Sequence, residues 1–346
     1  MPASEGPALN SSTHAPQTLL AMGSAIHRTL LAKSTLQRLP RTATVDTSVL
    51  VTDYAAADPA LLDAAEVLFT HWGSPVLTEE SLRRMPRLRA VVHAAGSVKH
   101  HVTEAVWERG ITVSSAAAAN ALSVAEFTLA AILFANKRVL DSAHLYRETR
   151  GRVDLLPYLD GHGNYRRTVG IVGASRTGRR VVELLRPFDF EVLVYDPYLT
   201  GSEADELGVG LVTLDELVRC SHVVSIHAPQ LPETRHMFDA RRLALLRDGA
   251  TLINTARGSL VDTGALSAQL ATGRIHAVID VTDPEIMPAG SPLYDLPNVL
   301  LTPHVAGSLG NELDRMAHCA IDEVGRYAKG LPFLYGVGPD ELARSA

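Results

Sequence analysis

Six short apolar runs between residues 167 and 304 limit the folds open to this chain more than any other feature. They read RTVGIVG, EVLVYD, HVVSIHAP, ATLINTARG, HAVIDV and NVLLTPH, with helical patterns such as LDELVRC and TGALSAQLATG between them. Continuous Val, Ile and Leu runs, without polar alternation, mark parallel strands buried on both faces. Strands alternating with helices predict βαβ units, here one doubly wound domain. A residue able to do chemistry closes nearly every run. Gly173 to Gly178 follow the first, Asp196 the second, His227 the third and Arg257 the fourth. Asp280 lies in the fifth with Glu285 beyond it, and His304 follows the sixth. Ligands of open α/β sheets bind outside the carboxyl ends of the strands, so these residues are expected to meet at one site.

A second alternating region precedes this one. TLLAMG, TSVLVTD, AEVLFTHWG, LRAVVHAAG and GITVSS read as strands, and Ser24 to Arg38 and Thr78 to Met85 as helices. The 346 residues exceed the roughly 250–300 at which a single core stops growing, so two domains are expected. Between the regions, residues 120–140 form an Ala- and Leu-rich helical pattern, apolar around much of its circumference, which predicts burial. Residues 151–164 have a loop composition.

Composition serves mainly to exclude. Lys and Arg number 32 against 38 Asp and Glu, a net charge of −6 without basic blocks, which argues against a nucleic-acid partner. The 46% hydrophobic content is too high for a disordered chain. The longest unbroken apolar stretch, Phe127 to Ala135 with Thr128 inside it, falls short of the about 20 residues of a spanning helix, so no membrane association is expected. Two cysteines, Cys220 and Cys319, allow no disulfide framework or cysteine-based zinc site. Adjacent His100 and His101 point apart on any regular element, so no metal site is expected. The first 17 residues read as a mobile lead-in without the pattern of a secretory or transit signal, and the expected address is the cytoplasm.

The turn Gly173-Ala174-Ser175-Arg176-Thr177-Gly178 matches the dinucleotide fingerprint GxGxxG except that Ser175 replaces the middle glycine. In that fingerprint the first glycine permits the tight turn, the second the approach of a pyrophosphate, and the third close helix–strand packing. The helix that follows offers free N–H groups to phosphate, and the Ser175 hydroxyl can donate to it as well, so weakened or slightly displaced binding is expected rather than its loss. Asp196 ends the next strand, where an acid accepts from the adenosine ribose and repels a 2′-phosphate, so NAD is expected over NADP. Arg257 brings a planar fork suited to a carboxylate. His304 brings acid–base capacity near neutrality, and Glu285 can accept from its second ring nitrogen. His227 is expected to line the cofactor crevice. Each of these residues alone reads equally well as a structural or surface group; their convergence carries the assignment.

ANALSVAEFTLA, VGIVGASRTGRRV, HAPQLPETRHMF, LLRDGATLINTARGSLVD, AVIDVTDPE and SPLYDLPNVLLTPHVAGS occur in an order and spacing that resemble the D-isomer-specific 2-hydroxyacid dehydrogenases. The resemblance is good over about residues 90 to 310. It implies an α/β fold of two domains, a Rossmann-type doubly wound parallel sheet inserted into a smaller flavodoxin-like substrate domain. The lead-in would cover 1–17, the substrate domain 18–118 and 308–346, and the NAD-binding domain 119–307. It implies an oxidoreductase that moves hydride reversibly between NAD(H) and a D-2-hydroxy acid or its 2-keto acid. Arg257 would orient substrate, His304 would exchange the proton, and Glu285 would partner the histidine. Arg176, Thr177, Asp196, Thr255, Ala256, Asp280 and the stretch from His304 to Gly307 would contact NAD. A homodimer is implied too.

Two departures stand out. Ser175 is one. The other is the substrate loop HAAGSVKHHV, where His93, Ser97 and Lys99 replace the family's usual pattern of an Arg, a second Gly and an Asp. The N–H groups of Gly96 and Ser97 are still expected to hold a carboxylate, and the loop's cationic character favours a substrate with a second acidic group. The alternative from another class is an NAD(H)-sensing, corepressor-like binding protein of the same fold, which would keep the same Arg–Glu–His set. A formate dehydrogenase is disfavoured because that branch pairs its histidine with Gln.

Overall fold

A computed structural model describes residues 14–344 and divides them into two compact units. The first runs to Asn120 and resumes over Gly310–Ala343; the second is Ala121–Leu309. The expected lead-in over 1–17 lies outside the described residues up to residue 13. Within the described part, Gln17 already pairs with Thr44.

In the first unit, parallel strands β1 (Thr18–Ala21), β2 (Val67–Thr70), β3 (Ala90–His93) and β4 (Thr112–Ser115) lie side by side in chain order. The short strand Gly336–Val337 adds antiparallel to β4. TSVLVTD, expected as a strand, contributes only a single parallel bridge, Val51 to Ala21. Counting that bridge, the spatial order becomes 2-1-3-4-5, the order of flavodoxin-like sheets. Alternate side chains enter two cores, as a pleated strand requires. Leu20, Val67, Phe69, Ala90 and Val92 pack against Leu313, Met316, Ala317, Ala320, Ile321 and Val324 of the helix Glu312–Ala328. That spacing of three and four residues is an amphipathic helical face. Leu19, Ala21, Leu68, Val91 and Val113 pack on the other side with Leu62, Leu82, Met85 and Val106.

All six apolar runs of the second unit form strands of one parallel sheet: β5 (Thr168–Val172), β6 (Glu191–Tyr195), β8 (Val223–Ile226), β9 (Thr251–Asn254), β10 (His276–Ile279) and β11 (Val299–Leu301). A seventh, β7 (Gly210–Leu211), was not foreseen, because two residues at a sheet edge make no hydrophobic run. The order β11-β10-β9-β8-β5-β6-β7 reverses between β8 and β5, and crevices for ligands open at such a switch point. Val169, Ile171, Val223, Ile253 and Val278 face one core, and Val224, Ile226, Leu252, Ala277 and Ile279 the other.

The long helical pattern forms α1 (Ala117–Asn136). It ends where Arg138 takes φ +52° and opens α2 (Val139–Thr149). Over an 18-residue window of α1 the mean hydropathy is 1.7, so by length and composition the helix is apolar enough to cross a membrane, although no unbroken run is long enough. Only 44% of that window is buried, less than its composition suggests. Ala125, Ala131 and Ile132 enter the core of the second unit, while Phe134 remains 53% exposed.

Candidate active site

The Gly173–Gly178 turn joins β5 to α3 (Arg176–Leu185). Gly173 has φ +99°, and a Cβ there would lie 2.8 Å from Ala228 N. A Cβ on Gly178 would lie 2.0 Å from the carbonyl oxygen of Gly173, so only glycine lets helix and turn close. Ser175 sits at φ −64°, which any residue adopts, and its Oγ accepts from Gly178 N at 3.3 Å as the N-cap of α3. The replacement of glycine therefore supplies a helix cap. Asp196 accepts from Ala174 N at 2.7 Å and from Tyr198 N at 2.8 Å, which holds it beside the turn. Arg176 and Thr177 open α3, Arg176 exposed and Thr177 partly buried. A narrow glycine turn, a capped helix N-terminus and an adjacent acid fit a dinucleotide.

The other half of the site stands on three adjacent strands. In the sheet register Ile279 of β10 pairs with Asn254 of β9 and Leu301 of β11. Arg257 and His304 each follow three residues after one of those partners. Asp280, next to Ile279, is 2% exposed and ties down the segment carrying the histidine. It accepts from Thr302 Oγ1 at 2.6 Å, Val305 N at 2.8 Å and Ala306 N at 2.9 Å. His304 has φ +56°, a left-handed conformation costly for a residue with a Cβ, and it persists because this hydrogen bonding fixes the turn. Its Nδ1 lies 2.6 Å from Glu285 Oε1. Glu285 is in turn held at its carbonyl, where Thr282 Oγ1 donates at 3.1 Å.

Burial lowers the Arg257 guanidinium from its ordinary pKa, and the Glu285 carboxylate opposes that shift. One carboxylate thus acts on both Arg257 and His304. Asn254 donates to the Arg257 carbonyl at 2.9 Å and accepts from Ala256 N at 3.1 Å, which sets the exit of β9. Thr255 is buried, its hydroxyl 3.2 Å from that of Thr128 on α1. Gly307 is partly buried and precedes Ser308, whose hydroxyl lies 2.9 Å from Ser123. His227 is 4% exposed with Nε2 2.9 Å from Ser225 Oγ, and burial holds its pKa at about 3. Its ring is turned to the strand, while its main chain backs the Gly173 turn. Asn254, Thr282 and Thr302 escaped the sequence reading because they act on neighbouring turns; the motifs INTARG and LLTPH contain two of them.

Gly96 and Ser97 stand in the first unit, both partly buried, just past β3. Burial holds His93 and His101 neutral, so the loop is less cationic than its sequence reads. Among the described residues, no group of three or more His, Cys, Asp or Glu side chains can hold a metal ion.

Residues 129–306 match the family model described as D-isomer specific 2-hydroxyacid dehydrogenase, NAD binding domain. The chain is 34% identical over 254 residues to a glyoxylate reductase of Korarchaeum cryptofilum, which covers 72% of this chain and 76% of that one. It is 33% identical over 246 residues to a D-3-phosphoglycerate dehydrogenase of Methanocaldococcus jannaschii, covering 70% of this chain but only 46% of the relative. The chain thus spans about half of that relative's length. Among solved structures, a D-lactate dehydrogenase from Aquifex aeolicus, complexed with NAD and lactic acid, superposes with a TM-score of 0.70 at 28% identity. That match covers 90% of this chain and 96% of the other.

Proposed function

Because the chain belongs to the D-isomer specific 2-hydroxyacid dehydrogenase family, we propose that it catalyses the reversible, NAD(H)-dependent interconversion of a D-2-hydroxy acid and its 2-keto acid. The observation that carries this reading is the contact between Glu285 and His304 at 2.6 Å, with Arg257 under the influence of the same carboxylate.

Gly173–Gly178, Asp196, Thr255, Ala256 and Asp280 would hold NAD(H), which would supply or take up the hydride. Arg257 clamps the substrate carboxylate through its planar fork and polarises the 2-keto oxygen. Glu285 holds Nδ1 of His304, which leaves Nε2 to give a proton to that oxygen in reduction and to remove it in oxidation. A positioned acid–base group of this kind contributes roughly 10²–10⁴-fold. Gly96 and Ser97 of the first unit would offer main-chain N–H groups to a substrate carboxylate. Residues 119–307 serve as the NAD-binding domain, and 18–118 with 308–346 as the substrate domain.

The proposal extends to a homodimer in the cytoplasm. An apolar groove of about 210 Å³ along α1, lined by Phe127, Phe134, Val278 and Leu300 among others, supports a self-association surface. Tyr146 on α2 and Leu156 just beyond it are 65% and 87% exposed.

The test is NADH absorbance with a panel of glyoxylate, pyruvate, hydroxypyruvate, phenylpyruvate and 2-ketoisocaproate. Consumption with at least one is expected. NADH binding without consumption of any would overturn the assignment in favour of a nucleotide sensor.

A further inference from the structure

Residues 94–100, the loop that contains Gly96 and Ser97, begin and end on one hydroxyl. Thr70 Oγ1 lies 2.9 Å from His93 Nδ1 and 3.2 Å from His101 Nε2, the two residues that flank the loop. All three are buried, and the imidazole centroids are 4.5 Å apart. The main chain reinforces both ends. Ala94 N donates to Thr70 O at 2.8 Å, Ala116 N to His93 O at 2.9 Å, and Leu77 N to His101 O at 2.8 Å. Thr70 ends β2 and His93 ends β3, so this junction sits where the first unit's sheet presents its carboxyl ends.

A hydroxyl has one proton and two lone pairs. Between two imidazoles it donates to one and accepts from the other, which matches one ring offering N–H and the other a bare nitrogen. Burial provides the neutral pair this requires, holding His101 at about 4 and His93 well below the usual 6.5. His71 and His100 add repulsion against a charge on His93, and the Ser97 main chain is the one neighbour that favours it. Thr70 Oγ1, 2.9 Å from Nδ1, anchors the His93 ring from the side-chain side.

We propose that Thr70, His93 and His101 form a staple that fixes the 94–100 loop in the shape that receives the substrate carboxylate. They are positioning residues, and their action rests on the reading of Gly96 and Ser97 as carboxylate-binding amides.

Thr70→Val removes the hydroxyl at nearly constant shape, and Thr70→Ser restores it. Thr70→Val is expected to raise KM for the best keto acid of the panel about tenfold, the size of one lost buried hydrogen bond, with kcat nearly unchanged. Amide hydrogen exchange of peptides covering 94–100 should accelerate in Thr70→Val alone, and NADH affinity should stay at the wild-type value in both variants. Should Thr70→Val not fold, His101→Phe cuts the other arm and carries the same expectation. Wild-type loop protection and KM in Thr70→Val, or equal defects in Val and Ser variants, would overturn the staple. If the wild-type protein consumes NADH with no keto acid, the carboxylate reading fails instead. Exchange then still decides: faster loop exchange in Thr70→Val alone supports the staple, and unchanged exchange refutes it.

Discussion

The main chain of His304 hangs from Asp280. Its own N–H donates to the Asp280 carbonyl at 2.8 Å, and the next two amides donate to the two oxygens of the Asp280 carboxylate. The orientation of an exposed histidine is thus set by a buried acid that is not its ring partner. Asp280→Ala should lower stability by about 2–4 kcal/mol, since several hydrogen bonds to a buried charged acceptor are lost. Urea unfolding measures this, and a cost below about 1 kcal/mol would show that the 302–306 turn holds itself.

His304→Gln should cut kcat by about 10²–10⁴-fold and leave NADH affinity within about twofold, because the ring acts on substrate and not on the nucleotide turn. Stopped-flow reduction of the best keto acid with a parallel fluorescence titration separates the two. Retained turnover would remove His304 from its role.

Ser175 divides cap from phosphate contact. Ser175→Ala should cost about 1 kcal/mol of stability and Ser175→Gly only a few tenths, the usual ranking at an N-cap. Comparable losses of NADH affinity in both, without that ranking in stability, would mean that the hydroxyl serves the nucleotide and not Gly178.

Acid should weaken the fold well above the carboxylate range. Burial holds His71 at about 3, His101 at about 4 and His227 at about 3, against an ordinary 6.5. Below pH 6.5 the unfolded chain binds protons at these positions that the folded one refuses. Their stabilisation is therefore complete above pH 6.5 and is lost as pH falls toward the folded values, at up to about 1.4 kcal/mol per unit for each group. The urea midpoint should be flat from pH 8 to 7 and drop between pH 6.5 and 4. A midpoint unchanged from pH 7 to 5 contradicts it.

If the groove along α1 mediates self-association, Phe134→Glu should convert a dimer to monomer. Sedimentation velocity reads this directly, and a wild-type monomer at micromolar concentration would remove the proposal.

The doubly wound sheet was legible because buried parallel strands leave unbroken apolar runs, and all six of those runs became strands. β7 left no such trace, and TSVLVTD looked like a strand yet makes one bridge, since an edge position needs apolar residues only on the faces that are covered. The convergence of Arg257, Glu285 and His304 followed from their places after strand ends. What the sequence hid was the supporting layer. Nothing local to Thr70 announces that it meets His93 and His101, because that contact exists only once β2 and β3 are paired. Ser175 was read as a phosphate donor, and only the Gly178 N–H bond to its Oγ reveals a cap.

The common pairing of Asn254 and Leu301 with Ile279 makes a ruler of the sheet. Chain length is free to vary at the opposite, amino ends of β10 and β11, near Arg274 or Pro297, without changing the span between the guanidinium and the imidazole. A residue inserted between Asn254 and Arg257, or between Leu301 and His304, has no such freedom. Glu285 alone is not indexed to a rung, so it is the member of the set whose placement sequence drift can adjust without rebuilding a strand.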